Sequence, residues 1–150
     1  MKIIKTALMA YGDSRKFFHA PFLSICDGFE LIGAYERSSK NIQKDFENTV
    51  SFDSLEELLS SDAELIVINT PVHTHFELSK KALEAGKHVL VEKSFTSNLA
   101  EAIELDALAK KLDLKLCVYQ NRRYDSDFKT VQKNTSRKYF RRNCRRRNKI

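Results

Sequence analysis

Four short stretches of this sequence set polar residues directly after apolar, strand-like runs. They are Ala10-Tyr11-Gly12-Asp13-Ser14-Arg15, Glu36-Arg37-Ser38-Ser39, Asn69-Thr70-Pro71-Val72-His73-Thr74-His75 and Glu92-Lys93-Ser94-Phe95. The first has the position and length of a turn that offers backbone N–H groups to a pyrophosphate at the start of a helix. Of the three glycines of such a fingerprint only the middle one is present, as Gly12, with Ala10 and Arg15 at the other two places. A plain strand-to-helix turn would read the same way. Glu36 follows Gly12 by 24 residues, at a strand end where a carboxylate can accept hydrogen bonds from an adenosine ribose. An exposed loop acid is the other reading. Arg37 and Ser38 could instead meet a 2′-phosphate, so NADP stands beside NAD as the candidate cofactor.

Asn69-Thr70-Pro71 reads either as a turn whose polar backbone lies under a ribose and nicotinamide, or as a simple end to a strand. His73 and His75 are two residues apart with no acid or cysteine beside them, so no metal site is expected. His75 reads as a helix-start residue. Lys93 is a lone cation after a buried strand, next to Glu92. A lysine so placed can orient a substrate hydroxyl or take part in acid–base work, and it can equally be a surface lysine.

The elements that must hold these stretches alternate along the chain. Residues 3–9 form a β-branched and apolar strand. Residues 16–25 read as a helix in which Pro21 starts a second short turn. Asp27-Gly28 introduces a strand at 29–35, a short polar helix covers 39–47, and a brief strand 50–52. Ser54 with Glu57 three residues on is a capping box opening the next helix. Leu65-Ile66-Val67-Ile68 is a continuous apolar run, as a parallel strand covered on both faces requires. Thr74 caps a helix with Phe76, Leu78, Ala82 and Leu83 on one side, ended by Gly86. A strand at 88–91 follows, then an amphipathic helix over 98–112 with Leu99, Ala102, Ile103, Leu105, Leu108 and Ala109, then a strand over 114–119. This order predicts an α/β fold, a Rossmann-like doubly wound parallel sheet with right-handed crossovers.

The 150 residues suffice for one domain with a real core. No apolar run approaches the roughly 18 residues of a membrane span, and the N-terminus lacks a signal-peptide pattern. Cys26, Cys117 and Cys144 are odd in number and widely spaced, which suits a reducing cytoplasm. Cys26 and Cys117 are expected as small apolar core residues. The net charge of +6 is local: residues 134–150 carry eight Lys or Arg and no acid, leaving 18 basic against 20 acidic residues elsewhere. A nucleic-acid reading would therefore rest on the tail alone.

Several stretches together carry a resemblance. They are Tyr11-Gly12, Phe18-His19-Ala20-Pro21-Phe22, Glu36-Arg37-Ser38, Asn69-Thr70-Pro71 with Thr74-His75, Glu84-Ala85-Gly86-Lys87-His88-Val89 with Glu92-Lys93, and Gln120-Asn121-Arg122-Arg123-Tyr124-Asp125-Ser126-Asp127-Phe128. Over about residues 5–133 the chain resembles the Gfo/Idh/MocA oxidoreductases, most of all the branch that includes scyllo-inositol dehydrogenases. The resemblance implies an N-terminal domain that binds NAD or NADP, with NADP favoured, in an enzyme acting on a sugar or polyol. It puts Tyr11 and Gly12 at the pyrophosphate, and Glu36, Arg37 and Ser38 at the adenosine ribose. Thr70, Pro71 and His75 fall on the nicotinamide side. Glu92 and Lys93 occupy the family's Glu-Lys-Pro motif, with Lys93 as the catalytic residue, and Asn121 and Arg122 face the cofactor and cleft.

Departures accompany it. Ser94 stands where the family has proline and Arg15 where it has glycine. The expected organisation is a nucleotide-binding domain over residues 1–128 and a basic, disordered or out-of-frame tail over 129–150, without the family's C-terminal α+β domain. With A-rich codons, reading Arg141 to Lys149 one base later yields Gly-Glu-Ile-Val-Glu-Glu-Glu-Ile-Lys, which resembles the family's continuation. A frameshift near Lys133 is thus expected. The expected function is that of the nucleotide-binding domain of an NAD(P)-dependent oxidoreductase, catalytically incomplete as this chain. The alternatives are a non-catalytic nucleotide-binding fragment, or nucleic-acid binding through the tail.

Overall fold

The computed structural model describes residues 2–12, 18–37 and 40–136. Six strands form one sheet: β1 (Ile4–Leu8), β2 (Phe29–Tyr35), β3 (Val50–Phe52), β4 (Leu65–Ile68), β5 (His88–Glu92) and β6 (Leu116–Tyr119). All pairings are parallel and the order is β3-β2-β1-β4-β5-β6. This is the expected doubly wound sheet, and its order reverses between β1 and β4, where such sheets bind ligands.

The central strand residues are mostly apolar because the sheet is covered on both faces. Successive residues of a strand point to opposite sides. Ala7, Ile66, Ile68, Val89 and Val91 enter one core, while Leu8 and Val67 enter the other. The first core includes Leu58 of the helix Leu55–Ser60, with Ala82 and Leu83 of the helix His75–Glu84 and Leu105 and Ala109 of the helix Leu99–Lys111. The second is closed by Ala20 from the helix Ala20–Ile25 and Ile42 from the helix Ile42–Asp45. In chain order these five helices are α1 (Ala20–Ile25), α2 (Ile42–Asp45), α3 (Leu55–Ser60), α4 (His75–Glu84) and α5 (Leu99–Lys111).

Local signals explain most boundaries. Ser54 caps α3 by accepting the Glu57 N–H, while the Glu57 carboxylate reaches back to the Asp53 N–H. Asn98 caps α5 the same way, accepting from Glu101 N–H. Gly86 takes φ +75° just past α4, a conformation L side chains avoid. At Gly33 the need is for space: a Cβ there would lie 2.1 Å from the Val50 carbonyl oxygen, so β2 and β3 meet closely only through glycine.

Three expectations are corrected. Thr74 precedes α4, but its hydroxyl accepts no N–H of the helix. It bonds instead within the preceding turn, to the Pro71 carbonyl and the Thr70 hydroxyl. Cys26 and Cys117 are exposed and not core residues. Cys26 lies just past the end of the short α1. Cys117 shares a row with Leu8, Val67 and Leu90, but β6 is the edge strand, far from the α1–α2 cover at β1 and β2. Leu99 and Ile103, expected on the buried face of α5, are 74% and 60% exposed, while Leu105 and Ala109 are buried.

The described residues 120–136 belong to a second unit. Within it, Asn121–Tyr124 is a 3₁₀ turn and α6 runs over Ser126–Ser136. Residues 129–136, expected in a basic tail that is disordered or out of frame, are helical. The rest of the tail, Arg15 and Ser38 lie outside the described residues. No described helix is long and apolar enough to cross a membrane.

Candidate functional site

The carboxyl ends of β1 and β4 are joined by one side chain. Asn69 is buried and exchanges two hydrogen bonds with Ala10: its Oδ1 accepts the Ala10 N–H at 3.0 Å and its Nδ2 donates to the Ala10 carbonyl at 2.8 Å. This amide continues the sheet's hydrogen bonding past the strand ends and fixes where the Tyr11-Gly12 turn begins. Tyr11 is buried with its hydroxyl donating to Asp45 Oδ2 at 2.7 Å, and its ring meets Phe46 edge-on. Burial, then the Asp45 carboxylate, push the phenol well above its ordinary value. The tyrosine hydroxyl is thus committed to α2, and what the turn offers a ligand is backbone. At Gly12 a Cβ would meet nothing within 4 Å among the described residues.

Glu36, at the end of β2, is buried. Its Oε1 accepts the Asn41 N–H at 3.0 Å, and its Oε2 accepts the Ile42 N–H at 3.1 Å and the Ser51 hydroxyl at 3.0 Å. The carboxylate therefore serves the N-terminal end of α2 and the neighbouring strand, where a negative charge satisfies otherwise orphaned N–H groups. Arg37, one residue on, is exposed. The strand end thus presents a guanidinium outward and turns its carboxylate in.

On the other side of the order reversal, Thr70 and Pro71 lead into a 3₁₀ turn over Val72–Thr74. His75 opens α4 and is 1% exposed. Its Nε2 lies 2.9 Å from the Thr70 carbonyl, and its Nδ1 lies 2.8 Å from the Ser94 carbonyl and 3.3 Å from that of Phe95. The imidazole spans the turns that follow β4 and β5. His73 is exposed, and among the described residues no cluster of His, Cys, Asp and Glu could hold a metal.

Lys93 sits at the end of β5 with its side chain exposed. Its backbone N–H donates to Glu92 Oε2 at 3.2 Å, and the Lys93–Ser94 peptide bond is cis. The other Glu92 oxygen accepts from His19 Nε2 at 2.8 Å. His19 was not among the candidates read from sequence: it is buried just before α1, and the Tyr119 ring packs on it at 4.6 Å between centroids. No spacing signals this contact, since the two residues lie 73 positions apart.

Asn121 and Arg122 belong to the second unit. There Arg122 donates to Asp125 Oδ2 at 2.8 Å, and that bond raises the guanidinium's already high pKa. Within the first unit, the donor set fits a dinucleotide. It offers an open backbone turn at Gly12, an exposed cation at Arg37 and a polar turn at Thr70-Pro71, all at strand ends beside the reversal.

Comparison with known proteins agrees. Residues 4–120 match the family described as an oxidoreductase family with an NAD-binding Rossmann fold. An oxidoreductase of Schizosaccharomyces pombe is 45% identical over 138 residues, which cover 88% of this chain and 37% of that protein. The scyllo-inositol 2-dehydrogenase (NADP(+)) IolW of Bacillus subtilis is 34% identical over 131 residues, 87% of this chain and 37% of its own length. A crystal structure of an oxidoreductase from Bacteroides fragilis superposes with a TM-score of 0.81 at 47% identity, covering 91% of this chain and 43% of that one. The chain thus spans well under half the length of these relatives.

Proposed function

The chain belongs to the Gfo/Idh/MocA oxidoreductase family, whose NAD-binding Rossmann domain it spans, and we propose that it binds NADP(H) in preference to NAD(H). The observation that carries the preference is the inward turn of Glu36. In Rossmann domains an acid at this strand end accepts the ribose 2′-hydroxyl of NAD, and an arginine nearby accommodates the 2′-phosphate of NADP. Here the acid already has three hydrogen-bond donors and is 6% exposed, whereas Arg37 is exposed. The fork of a guanidinium suits a phosphate well. The B. subtilis relative, by its name, uses NADP(+), which supports the same reading.

In this reading Arg37 and Ser38 take the 2′-phosphate, and the backbone at Tyr11 and Gly12 takes the pyrophosphate. Thr70 and Pro71 lie beside the nicotinamide, with His75 beneath them as the brace between two turns. Bound NADP(H) supplies hydride transfer at its nicotinamide ring. Lys93 holds or moves a proton at its Nζ beside a substrate hydroxyl or carbonyl. For the whole protein the substrate class is a sugar or polyol, which the name of the B. subtilis relative, a scyllo-inositol 2-dehydrogenase, supports. Competition at the adenosine end tests the preference. Adenosine 2′,5′-bisphosphate should displace bound NADPH far better than AMP does, and equal displacement by both would overturn it.

A further inference from the structure

In the Phe18-His19-Ala20-Pro21-Phe22 stretch the histidine is among the most buried polar residues of the described chain. His19 donates from Nε2 to Glu92, and Glu92 in turn accepts the Lys93 N–H through its other oxygen. The His19 side chain is 5% exposed and that of Glu92 23%. Tyr119, at the end of β6, packs its ring on the imidazole and closes the contact from a third side. Proximity to the Glu92 charge adds to burial in raising the Tyr119 phenol's pKa, so the tyrosine stays neutral against the pair.

We propose that His19 is a positioning residue: it holds the Glu92 carboxylate and, through it, the Lys93 turn against the start of α1. The inference rests on the reading that these strand ends bind the dinucleotide. His19 lies in the link between β1 and α1, the link that also carries the pyrophosphate-facing turn. Glu92 ends the strand that carries the lysine. One part-buried hydrogen bond therefore ties the start of α1 to the strand end that carries the group handling the proton. His75 reaches the same turn from the opposite side in sequence, at the Ser94 carbonyl. Lys93 thus lies between two residues that are each tied to a buried imidazole. In this arrangement Glu92 acts from within the protein, as the link between His19 and the lysine.

The test compares His19→Ala, His19→Gln and Glu92→Ala in the full 150-residue chain. Gln can place an amide N–H near the position of Nε2. Two readouts are taken: ¹⁵N order parameters of residues 93–95 without nucleotide, and NADPH affinity by calorimetry. The expected result for His19→Ala is a fall in the order parameters from about 0.85 toward 0.6 and a loss of affinity of roughly tenfold. His19→Gln should restore both, and the His19→Ala/Glu92→Ala double variant should be no worse than either single one. A role in stability alone would lower the melting temperature and leave both readouts unchanged, which would overturn the proposal, as would additive losses in the double variant. If His19→Ala does not fold, His19→Asn, whose amide falls short of Glu92, takes its place. If the unaltered chain binds no NADPH, the functional reading fails, and the order parameters alone decide the role of His19.

Discussion

The Glu36 carboxylate accepts the Ile42 N–H at 3.1 Å, so the acid that ends the second strand faces into the protein. With the Asn41 N–H and the Ser51 hydroxyl on the same group, it joins β2, β3 and α2 around one buried charge. Glu36→Gln keeps the shape but replaces one acceptor oxygen with an NH₂ that faces a donor. Leaving a buried donor unsatisfied costs about 1–3 kcal/mol, and urea unfolding should show a loss in that range with an unchanged m-value. A variant of unaltered stability would mean that the carboxylate does not hold the loop.

Arg37 carries the cofactor preference. Charge-assisted hydrogen bonds contribute about 1.5–3 kcal/mol each, so Arg37→Ala should weaken NADPH at least tenfold and change NADH by less than twofold. Parallel titrations of the variant check this, and an equal loss for both nucleotides would assign Arg37 to a site other than the 2′-phosphate.

Asn69 joins the two strand ends between which the sheet order reverses. Asn69→Ala removes both of its bonds to Ala10 and leaves buried backbone groups without partners. Stability should fall by about 1–3 kcal/mol, and NADPH affinity should fall with it because the Tyr11-Gly12 turn loses its anchor. Chemical denaturation and calorimetry on the same sample separate the two effects. A loss of stability with unchanged affinity would show that the turn keeps its shape without the anchor.

Tyr11 links stability to alkaline pH. Its phenol ionises above the ordinary tyrosine value of about 10 in the folded chain because burial and the Asp45 carboxylate oppose the phenolate. Above pH 10 the unfolded chain therefore gives up a proton that the folded chain keeps, and stability falls as pH rises. The contribution is fully present below pH 10 and is lost as pH rises through the folded value. Urea midpoints between pH 8 and 11 should decline less steeply for Tyr11→Phe than for the unaltered chain, and identical slopes would refute the assignment.

Much of the fold was legible because the strands are buried on both faces. Residues 65–68 form an unbroken apolar run and are a strand at those bounds, and the strand at 29–35 likewise matches its expected limits. Capping was legible where the side chain acts on its own helix, as at Ser54, and misleading at Thr74, whose hydroxyl stays in the preceding turn. Cys117 was misjudged because its residue type fits a core, while its exposure depends on lying in the edge strand. The strand-end positions of the candidate site followed from the order of elements. The orientation of Glu36 and the presence of His19 did not, since both depend on partners brought together only by folding, such as Ser51 for the first and Glu92 for the second.

The central claim is that these strand ends form a dinucleotide site that selects NADP(H). Isothermal titration of the full chain with NADPH and with NADH tests it most directly. The account predicts one NADPH bound per chain and NADH at least tenfold weaker. Binding of neither nucleotide, or tighter binding of NADH, would contradict it.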